Sequence, residues 1–491
     1  MESSNKGAST HGENVEIKSS GLLMHEDVQL SPEEKRAERR LVWKIDLIIL
    51  PLLSLMYFLA ALDRGDVGNA EVAGMGTELA LTASQYSQCV AFFFIGYIVF
   101  QPPGQLLVRK VQPHIQLGSA MIGWGLCTTF ISLAQNWQTV AGLRILVGCF
   151  EAFIQAAPLY LSIWYKREEL ATRGAIFFSM MAIAGTMNGL IAYGIQVNLD
   201  NVHGWVAWRW IFLVEGVMSI GSGFFVMALL PPVPERVHRF FTEEEKQIAI
   251  RRSKQAFNTP HTGVKLKQLR AVVTDRKVWF YAFFYSMMNI SLSGFSSFLP
   301  LIVRSFGYSR VTTQILTIPV YIAAAISTIG FAVASDRVRN RGHFLALSFA
   351  IASLGWLFLI VSKSKGLSLA GCFLAGMGTY PTVVLIQAWQ TTNVIGFTKR
   401  AGALAFLMVF GQSFGVMEVE IFTDRPSYYR GKGFALAATA AAAIVTPLFQ
   451  LYLKRKNAEK LAKRDTEEAA SRRSLGIEEI GDEHPDFMYW L

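Results

Sequence analysis

The sequence has few charged residues: Asp, Glu, Lys and Arg together make up 17% of its 491 positions. Soluble domains carry nearer a quarter. Hydrophobic residues make up 52% of the chain, and many stretches approach 20 residues with almost no charge. A stretch of that length crosses about 30 Å of hydrocarbon as a helix. The scarcity of charge therefore argues against a string of soluble domains and predicts an integral membrane protein.

Cysteine is scarce as well. The four cysteines are Cys89, Cys127, Cys149 and Cys372. All of them fall inside predicted spans, so a disulfide framework is not expected. A cleavable signal peptide is not expected either, because the first apolar run follows about 40 polar residues.

Several catalytic and cofactor motifs are also missing from the sequence. It contains no Gly-x-x-x-x-Gly-Lys-Ser/Thr phosphate loop, no His-Glu-x-x-His zinc motif and no Cys-x-x-Cys pattern. Nothing therefore points to ATP hydrolysis or to enzymes of those types. We predict that the protein is not an enzyme and that it has no cofactor and no metal.

The apolar runs predict twelve membrane-spanning helices and no strands. Their cores are approximately 43–62, 84–104, 115–133, 138–163, 174–194, 208–230, 278–302, 313–334, 344–361, 367–387, 400–421 and 433–453. The longest interruption, 231–277, divides the chain into six spans plus six. This is the plan of the major facilitator fold, whose two halves enclose a substrate site near the membrane midplane.

Basic residues indicate the orientation. They flank the apolar runs on alternate loops, and the connection 231–277 alone contains eleven Lys and Arg. Because positive residues concentrate on the cytoplasmic side, both termini and this connection are predicted to be cytoplasmic. The same distribution explains the formal net charge of +10 without a nucleic-acid partner.

The predicted organisation has five parts. They are a disordered cytoplasmic tail (1–40), an N-terminal six-helix bundle (41–230), a cytoplasmic loop (231–277), a C-terminal six-helix bundle (278–455) and a second cytoplasmic tail (456–491).

Charged residues inside spans are the strongest functional indication. Each costs roughly 2.5–3.5 kcal/mol on insertion scales, so such residues mark substrate or proton pathways by default. The candidates are Asp63, Arg64, Arg144, Glu151, Glu418 and Glu420. The last two lie near the outer end of their span, and the sequence leaves their role open.

Four residues of the fourth span form one polar stripe. Arg144 and Glu151 are seven residues apart, which is nearly two helical turns and about 10 Å along the axis. Gly148 and Gln155 fall on the same side. Such a stripe cannot face lipid, so we expect it to face a neighbouring helix or a water-filled cavity.

Arg64 and Arg144 are predicted to lie at one depth, about 30 Å from the cytoplasmic boundary. Two guanidinium groups at one level need an anion between them. A substrate carboxylate is one candidate, since arginine binds carboxylates through a forked pair of bonds. Asp63 and Glu151 are the other candidates. Alternatively, Arg144–Glu151 and Asp63–Arg64 are ion pairs with a structural role only.

Five sequence motifs suggest a family. They are Leu62–Ala70, Arg144–Ala152, Trp208–Gly216, Asn393–Arg400 and the C-terminal Pro485-Asp486-Phe487. With them, residues 41–455 resemble the anion:cation symporter group of the major facilitator superfamily, in its fungal allantoate and nicotinate permease branch.

The resemblance implies a role for each candidate residue. Arg64 and Arg144 hold the substrate carboxylate, and Glu151 with Asp63 carries the proton. Gln155 and Asn393 are also assigned to the substrate site.

The resulting prediction is a proton-coupled symporter of a small organic anion such as nicotinate, pantothenate or allantoate, working by alternating access. Its predicted partners are the anion, protons and the lipid bilayer, and we expect a monomer in the plasma membrane. Two alternatives stay open: an exporter of a secondary metabolite on the same fold, and a non-transporting nutrient sensor. The short stretch after residue 455 disfavours the sensor, which needs a long signalling tail.

Overall fold

The computed structural model describes residues 31–255, 266–307, 310–421, 428–464, 466–474 and 480–491. All regular structure in these ranges is helical, and they contain no strand. The predicted all-α architecture is therefore confirmed for the described part of the chain.

The helices of the first half are α1 (Pro32–Val72), α2 (Met75–Glu78), α3 (Ala83–Val111), α4 (Pro113–Ile131), α5 (Trp137–Glu151), α6 (Ala157–Trp164), α7 (Leu170–Leu199) and α8 (Ala207–Leu229). Those that follow are α9 (Glu243–Gln255), α10 (Leu266–Thr274), α11 (Arg276–Ser305), α12 (Arg310–Val338), α13 (Arg341–Val361), α14 (Lys365–Asn393), α15 (Phe397–Ile421), α16 (Tyr429–Ala462) and α17 (Glu467–Ser474). Every predicted span core overlaps one of these helices.

Nine helical segments in the described ranges are long and apolar enough to cross a membrane. They are Pro32–Val72, Ser84–Val111, Trp137–Trp164, Leu170–Leu199, Ala207–Leu229, Leu316–Val338, Arg341–Val361, Lys365–Asn393 and Tyr429–Ala462. The three other predicted spans correspond to α4, α11 and α15.

The first helix begins earlier than predicted. The Ser31 hydroxyl accepts a hydrogen bond from the Glu34 amide, and the Glu34 carboxylate accepts one from the Ser31 amide, at 3.2 and 2.9 Å. This capping box, with Pro32 in the first turn, starts a helix. Residues 32–40, predicted as disordered, are thus helical, and residues 1–30 lie outside the described part.

Helix packing follows the same scheme in both halves. In the first half α1 packs on α7 and α8, α3 on α5, and α4 on α8. In the second half α11 packs on α15 and α16, α12 on α14, and α13 on α16. The halves meet where α7 packs on α12 and α3 packs on α15. The N half and the C half are therefore similar bundles that contact each other through matching helices.

Two segments predicted as loop or tail contain further structure. The connection 231–277 includes α9 and α10, and α16 continues to Ala462 before α17 begins. Residues 480–491, here called the C-terminal segment, pack against the helix ends, with Phe487 and Trp490 buried. Apolar side chains explain this packing, because Phe487, Met488, Tyr489 and Trp490 lose solvent contact when they dock.

We call the face of the bundle where α1 begins and α16 ends the terminal face. Polar contacts join the two halves there. The Thr172 amide and hydroxyl both donate to Asp336 at 2.7 Å, and Arg341 donates to the Arg167 carbonyl at 2.6 Å. Arg167 in turn donates to the carbonyl of Thr392. The structure is therefore closed at the terminal face.

Candidate functional site

Two ion pairs cross between α1 and α5 in the N half. Arg64 donates from Nε to Glu151 Oε1 at 2.7 Å, and Arg144 Nη1 lies 3.0 Å from Asp63 Oδ2. We call these four residues the paired-charge site. The hypothesis of pairs within one helix, Arg144 with Glu151 and Asp63 with Arg64, is wrong. Its partners on α5 are about 10 Å apart along the axis, and neighbours on α1 point about 100° apart.

Close packing of α3 on α5 sets this geometry. Gly148 on α5 contacts the Phe93 carbonyl, and Gly96 on α3 contacts the Ile145 carbonyl, where a side chain at either glycine would collide with backbone. Small residues let two helix backbones approach in this way. The approach brings the aromatic residues of α3 against the paired-charge site.

Two aromatic rings of α3 hold the arginines. The guanidinium carbons of Arg64 and Arg144 lie 5.8 and 5.1 Å from the centre of the Phe93 ring. Arg64 also lies 4.8 Å from the Tyr97 ring centre and donates to the Tyr97 hydroxyl at 2.6 Å. The structure thus brings the two arginines together around Phe93. Cation–π contacts of this kind stabilise a desolvated guanidinium.

The four charges differ in their access to water. The side chains of Asp63, Arg144 and Glu151 are 2%, 3% and 1% exposed, whereas Arg64 is 28% exposed. Asp63 is further held by the Thr128 hydroxyl of α4, which donates to Oδ1 at 2.7 Å. Two buried atoms, Arg144 Nε and Glu151 Oε2, have no hydrogen-bond partner among the described residues. The paired-charge site therefore has a donor and an acceptor still available for hydrogen bonds near Arg64, its accessible arginine.

The polar stripe predicted on the fourth span is interrupted. The α-helix stops at Glu151, a 3₁₀ turn covers Ala152–Ala156, and α6 follows. Pro158 explains the break, because it has no N–H to donate to the carbonyl four residues earlier. Gln155 lies in this turn, and its carbonyl accepts a hydrogen bond from Gln105. It is buried near the interface of the halves, one turn beyond Glu151.

Asn393 lies away from the paired-charge site, at the terminal face. Its amide donates to the Tyr281 hydroxyl at 3.0 Å and to the Trp490 carbonyl at 2.8 Å. It also accepts from the Trp490 amide at 2.8 Å. The C-terminal segment thus occupies the polar atoms of Asn393. The side chains of Glu418 and Glu420 lie outside the described part of the structure.

Several neighbours of the site were not identified from the sequence. They are Phe93, Tyr97, Thr128, Asp66, Asn188 and Glu215. The rule that identified Asp63 applies equally to Asp66 and Glu215, which are ionisable residues within α1 and α8. The aromatic and hydroxyl neighbours give no such indication, because uncharged residues of these types are common in any membrane helix.

Comparison with known proteins identifies the family. The family model described as Major Facilitator Superfamily matches residues 53–418. The chain belongs to the major facilitator superfamily. Its relatives and its fold are those of transporters, which confirms the prediction that it is not an enzyme.

Curated relatives narrow the position of this superfamily member. It is 31% identical over 458 residues to the high-affinity nicotinic acid transporter of Saccharomyces cerevisiae, covering 92% of this chain and 85% of the relative. It is 32% identical over 427 residues to an uncharacterised transporter of Schizosaccharomyces pombe, covering 86% and 88%. These likenesses confirm that the chain fits the fungal nicotinate-permease branch.

A solved structure supports the fold independently. The proton:xylose symporter XylE superimposes with a TM-score of 0.64 and 14% sequence identity, covering 84% of this chain and 96% of XylE. At that identity the likeness shows the fold alone. The protein is thus a multi-pass major facilitator transporter.

Proposed function

We propose that the protein moves a small organic anion together with protons by alternating access. One observation carries the proposal: Arg64 is the accessible member of a buried ion pair, and its partner Glu151 is a carboxylate. A substrate carboxylate can take the place of Glu151 on Arg64 through a forked pair of bonds. The displaced Glu151 then needs a proton, because an unpaired buried carboxylate is costly.

Because the ion pairs join α1 to α5, the structure changes which arginine is released when Glu151 is protonated. If Glu151 were paired with Arg144, its protonation would free Arg144. Glu151 bonds to Arg64 instead, so its protonation frees Arg64, which water already reaches. Arg144 remains on Asp63, with Nε available for a second contact to the anion. Proton uptake and anion binding then cancel in charge, which allows the loaded carrier to reorient through a low-dielectric membrane.

Nicotinate is the first substrate to test, with pantothenate and allantoate after it. A relative that covers most of the chain is a nicotinic acid transporter, and the site offers matching chemistry. Phe93 and Tyr97 lie beside Arg64, so an aromatic acid can place its carboxylate on the guanidinium and its ring against theirs.

The proposal includes a topology. With α4, α11 and α15 added to the nine candidate spans, twelve helices cross the membrane in two bundles of six. The terminal face carries the basic loops and is placed in the cytoplasm, with the protein monomeric in the plasma membrane. Since that face is closed, water reaches Arg64 from outside, and the conformation is outward-facing.

The test is uptake of radiolabelled nicotinate by purified protein in proteoliposomes with an imposed pH gradient. We expect accumulation when the outside is acid, and loss of it with a protonophore. Glu78→Gln is the matched control, because Glu78 pairs with Arg209 away from the site. Uptake that follows a sodium gradient and ignores pH would contradict proton coupling. No uptake of any carboxylate or ureide, with folded protein, would contradict the anion assignment.

A further inference from the structure

Two buried carboxyl groups in the N half form no ion pair with any residue that the structure describes. Asp66 on α1 and Glu215 on α8 are 0% and 3% exposed. The two arginines nearby are already committed, Arg144 to Asp63 and Arg64 to Glu151. Four carboxyl groups therefore face two guanidinium groups, and Asp66 and Glu215 are the surplus.

The two surplus carboxyl groups lie on helices that pack against each other, and they are close enough to interact electrostatically. Their outer oxygens, Asp66 Oδ2 and Glu215 Oε2, are buried and have no donor among the described residues. The amide of Asn188 is 3.5 Å from the other oxygen of Asp66. Two ionised carboxylates only accept hydrogen bonds, and like charges at this separation repel strongly. A proton between the two oxygens satisfies both.

The surroundings of the pair contain little else that titrates. Among the described residues, the neighbouring groups are Asp63 on α1, Arg144 on α5 and the neutral amide of Asn188 on α7. Thr128 and the thiol of Cys127, both on α4, lie next to Asp63. Asp63 adds negative charge and Arg144 adds positive charge, and these two bond to each other. The state of the pair therefore depends mainly on its own protons.

We propose that Asp66 and Glu215 form a second proton-binding site, which shares one proton in the empty carrier and takes a second when substrate binds. The inference rests on the proposed function. In the empty carrier both arginine pairs are neutral and the carboxyl pair has a charge of −1. In the loaded carrier Glu151 is protonated, the anion sits on Arg64, and both Asp66 and Glu215 are protonated, so the buried charges cancel.

This arrangement fixes the charge moved in each cycle. Two protons travel with one monovalent anion, so one net positive charge enters. Uptake should then be accelerated by an inside-negative membrane potential as well as by an acid exterior. Glu215→Gln leaves one coupling proton, carried by Glu151, and makes the cycle electroneutral. Asp66→Asn should do the same.

The experiment imposes a potassium diffusion potential with valinomycin on proteoliposomes and measures nicotinate uptake at equal pH on both sides. We expect the potential to accelerate the unmodified protein and Glu78→Gln, and to leave Glu215→Gln unaffected. Nicotinate uptake by all three proteins should still be driven by a pH gradient. The inference is overturned if Glu215→Gln and Asp66→Asn keep the full response to potential. If no pH-driven uptake occurs even in the unmodified protein, the proposed function fails instead.

Infrared spectroscopy supplies a readout that needs no substrate. The purified protein at neutral pH should show the C=O stretching band of a protonated carboxylic acid. Replacing both groups, Asp66→Asn with Glu215→Gln, should remove the band, while Glu78→Gln should not. If the double variant does not fold, each single variant, which keeps one buried carboxyl group, should shift the band. A neutral-pH spectrum without that band contradicts the shared proton.

A separate observation concerns the C-terminal segment, 480–491. Asp482 is fully buried between two lysines, 2.7 Å from Lys277 on α11 and 2.5 Å from Lys399 on α15. Lys460 on α16 donates to three carbonyl oxygens of the segment, those of Asp482, His484 and Phe487, at 2.6–3.1 Å. The segment thus ties together helix ends that are far apart in sequence.

The end of the segment reaches the contact between the halves. The Leu491 carbonyl accepts from the Arg341 amide at 2.7 Å. Arg167, from the N half, lies 4.8 Å from the Phe487 ring centre and 5.9 Å from that of Trp490. Both arginines also belong to the contacts that close the terminal face. Opening that face must therefore break or move these contacts with the segment.

We also infer that the C-terminal segment is a latch that stabilises the closed terminal face. A reporter cysteine, Thr391→Cys, tests this after Ala replaces Cys89, Cys127, Cys149 and Cys372. Thr391 is buried and lines a small cavity with Leu161 and Leu170 of the other half, so a thiol reagent reaches it when the face opens.

Removal of residues 480–491 should raise the labelling rate about tenfold, as a shift of ~1.4 kcal/mol does. Asp482→Asn should raise it less. Arg472→Ala, in an exposed pair with Glu468, is the control and should leave labelling unchanged. Equal labelling with and without the segment, in folded protein, overturns the latch.

Discussion

The two halves share a packing scheme but differ in chemistry. In the N half, the middle turns of α1, α5 and α8 contain five buried ionisable residues: Asp63, Asp66, Arg144, Glu151 and Glu215. In the C half, the corresponding helix α11 has no Asp, Glu, Lys or Arg between Val278 and Val303, and α14 has none after Lys365. Its buried polar groups there are neutral: Ser286, Asn289, Ser291, Thr379, Thr382 and Gln387.

This difference indicates that the two halves have different roles. Since buried charge is costly in a membrane, we expect it where it binds an ion or a proton. Tyr285 and Gln387 of the C half bond to each other at 3.3 Å, and Tyr285 is close enough to Tyr97 and Arg64 to interact electrostatically. We therefore expect the N half to handle charge and protons, and the C half to recognise the uncharged part of the substrate.

The largest expected effect comes from Arg144→Ala, which removes one of the buried charges that distinguish the N half from the C half. It should abolish nicotinate uptake, and it leaves Asp63 buried with only Thr128, at a cost of about 3–5 kcal/mol. Arg144→Lys should also fail, because an ammonium group lacks the fork. Arg209→Ala, which breaks the pair with Glu78 away from the site, is the control. Normal uptake by Arg144→Ala would remove this arginine from the anion site.

Glu151→Gln should weaken proton coupling without abolishing transport. The amide is neutral, similar in shape and able to hydrogen-bond, so it imitates the protonated acid. Arg64 then stays free for the anion, and labelled nicotinate should exchange with unlabelled nicotinate. Accumulation driven by a pH gradient should fall, because the Asp66–Glu215 pair is left as the one carrier of a coupling proton.

Exchange of nicotinate and its accumulation in a pH gradient should both be measured on one reconstituted preparation of Glu151→Gln. Retention of both at the unmodified level excludes Glu151 as a proton carrier. A variant that cannot be purified folded favours a structural ion pair between Arg64 and Glu151.

Gln387→Ala tests the role that we assign to the neutral polar groups of the C half. Loss of one neutral hydrogen bond to the substrate should raise KM about 5- to 20-fold, equivalent to ~1–2 kcal/mol. The dependence of uptake on the pH gradient should not change. Ser353→Ala is the control, because its hydroxyl donates to the Phe349 carbonyl of its own helix. An altered proton dependence in Gln387→Ala would contradict the division between the halves.

The smallest effect on transport is expected from Asp482→Asn. Asp482 and its two lysine partners lie at the terminal face of the C half, and Lys277 and Lys399 lower the pKa of Asp482 to about 2. Because the folded pKa is below the ordinary value, the stabilisation is complete above about pH 4 and lost as pH falls towards 2. The variant should unfold more easily at neutral pH by about 2 kcal/mol. Thermal unfolding at pH 7 and at pH 3 checks this, with a smaller difference expected at pH 3.

Much of the site was visible in the sequence. Asp63, Arg64, Arg144 and Glu151 were identified because charge within an apolar run needs a reason, and the structure brings all four together. Gln155 and Asn393 were chosen from a stripe and a motif. The first lies in a 3₁₀ turn, and the second is bonded to the C-terminal segment. The positions of Gln155 and Asn393 outside the paired-charge site could not be predicted, because each depends on residues elsewhere in the chain.

The sequence by itself determined the membrane class, the positions of the helices and the residues that bear charge, because hydropathy and capping act within a few turns of chain. Only the tertiary structure decided which charges pair. The partner of an arginine depends on how far one helix is rotated and shifted against the next. That alignment is set by contacts such as Gly96 and Gly148, where α3 and α5 approach to backbone distance. Moved by one turn, about 5.4 Å, the same residues would form different pairs.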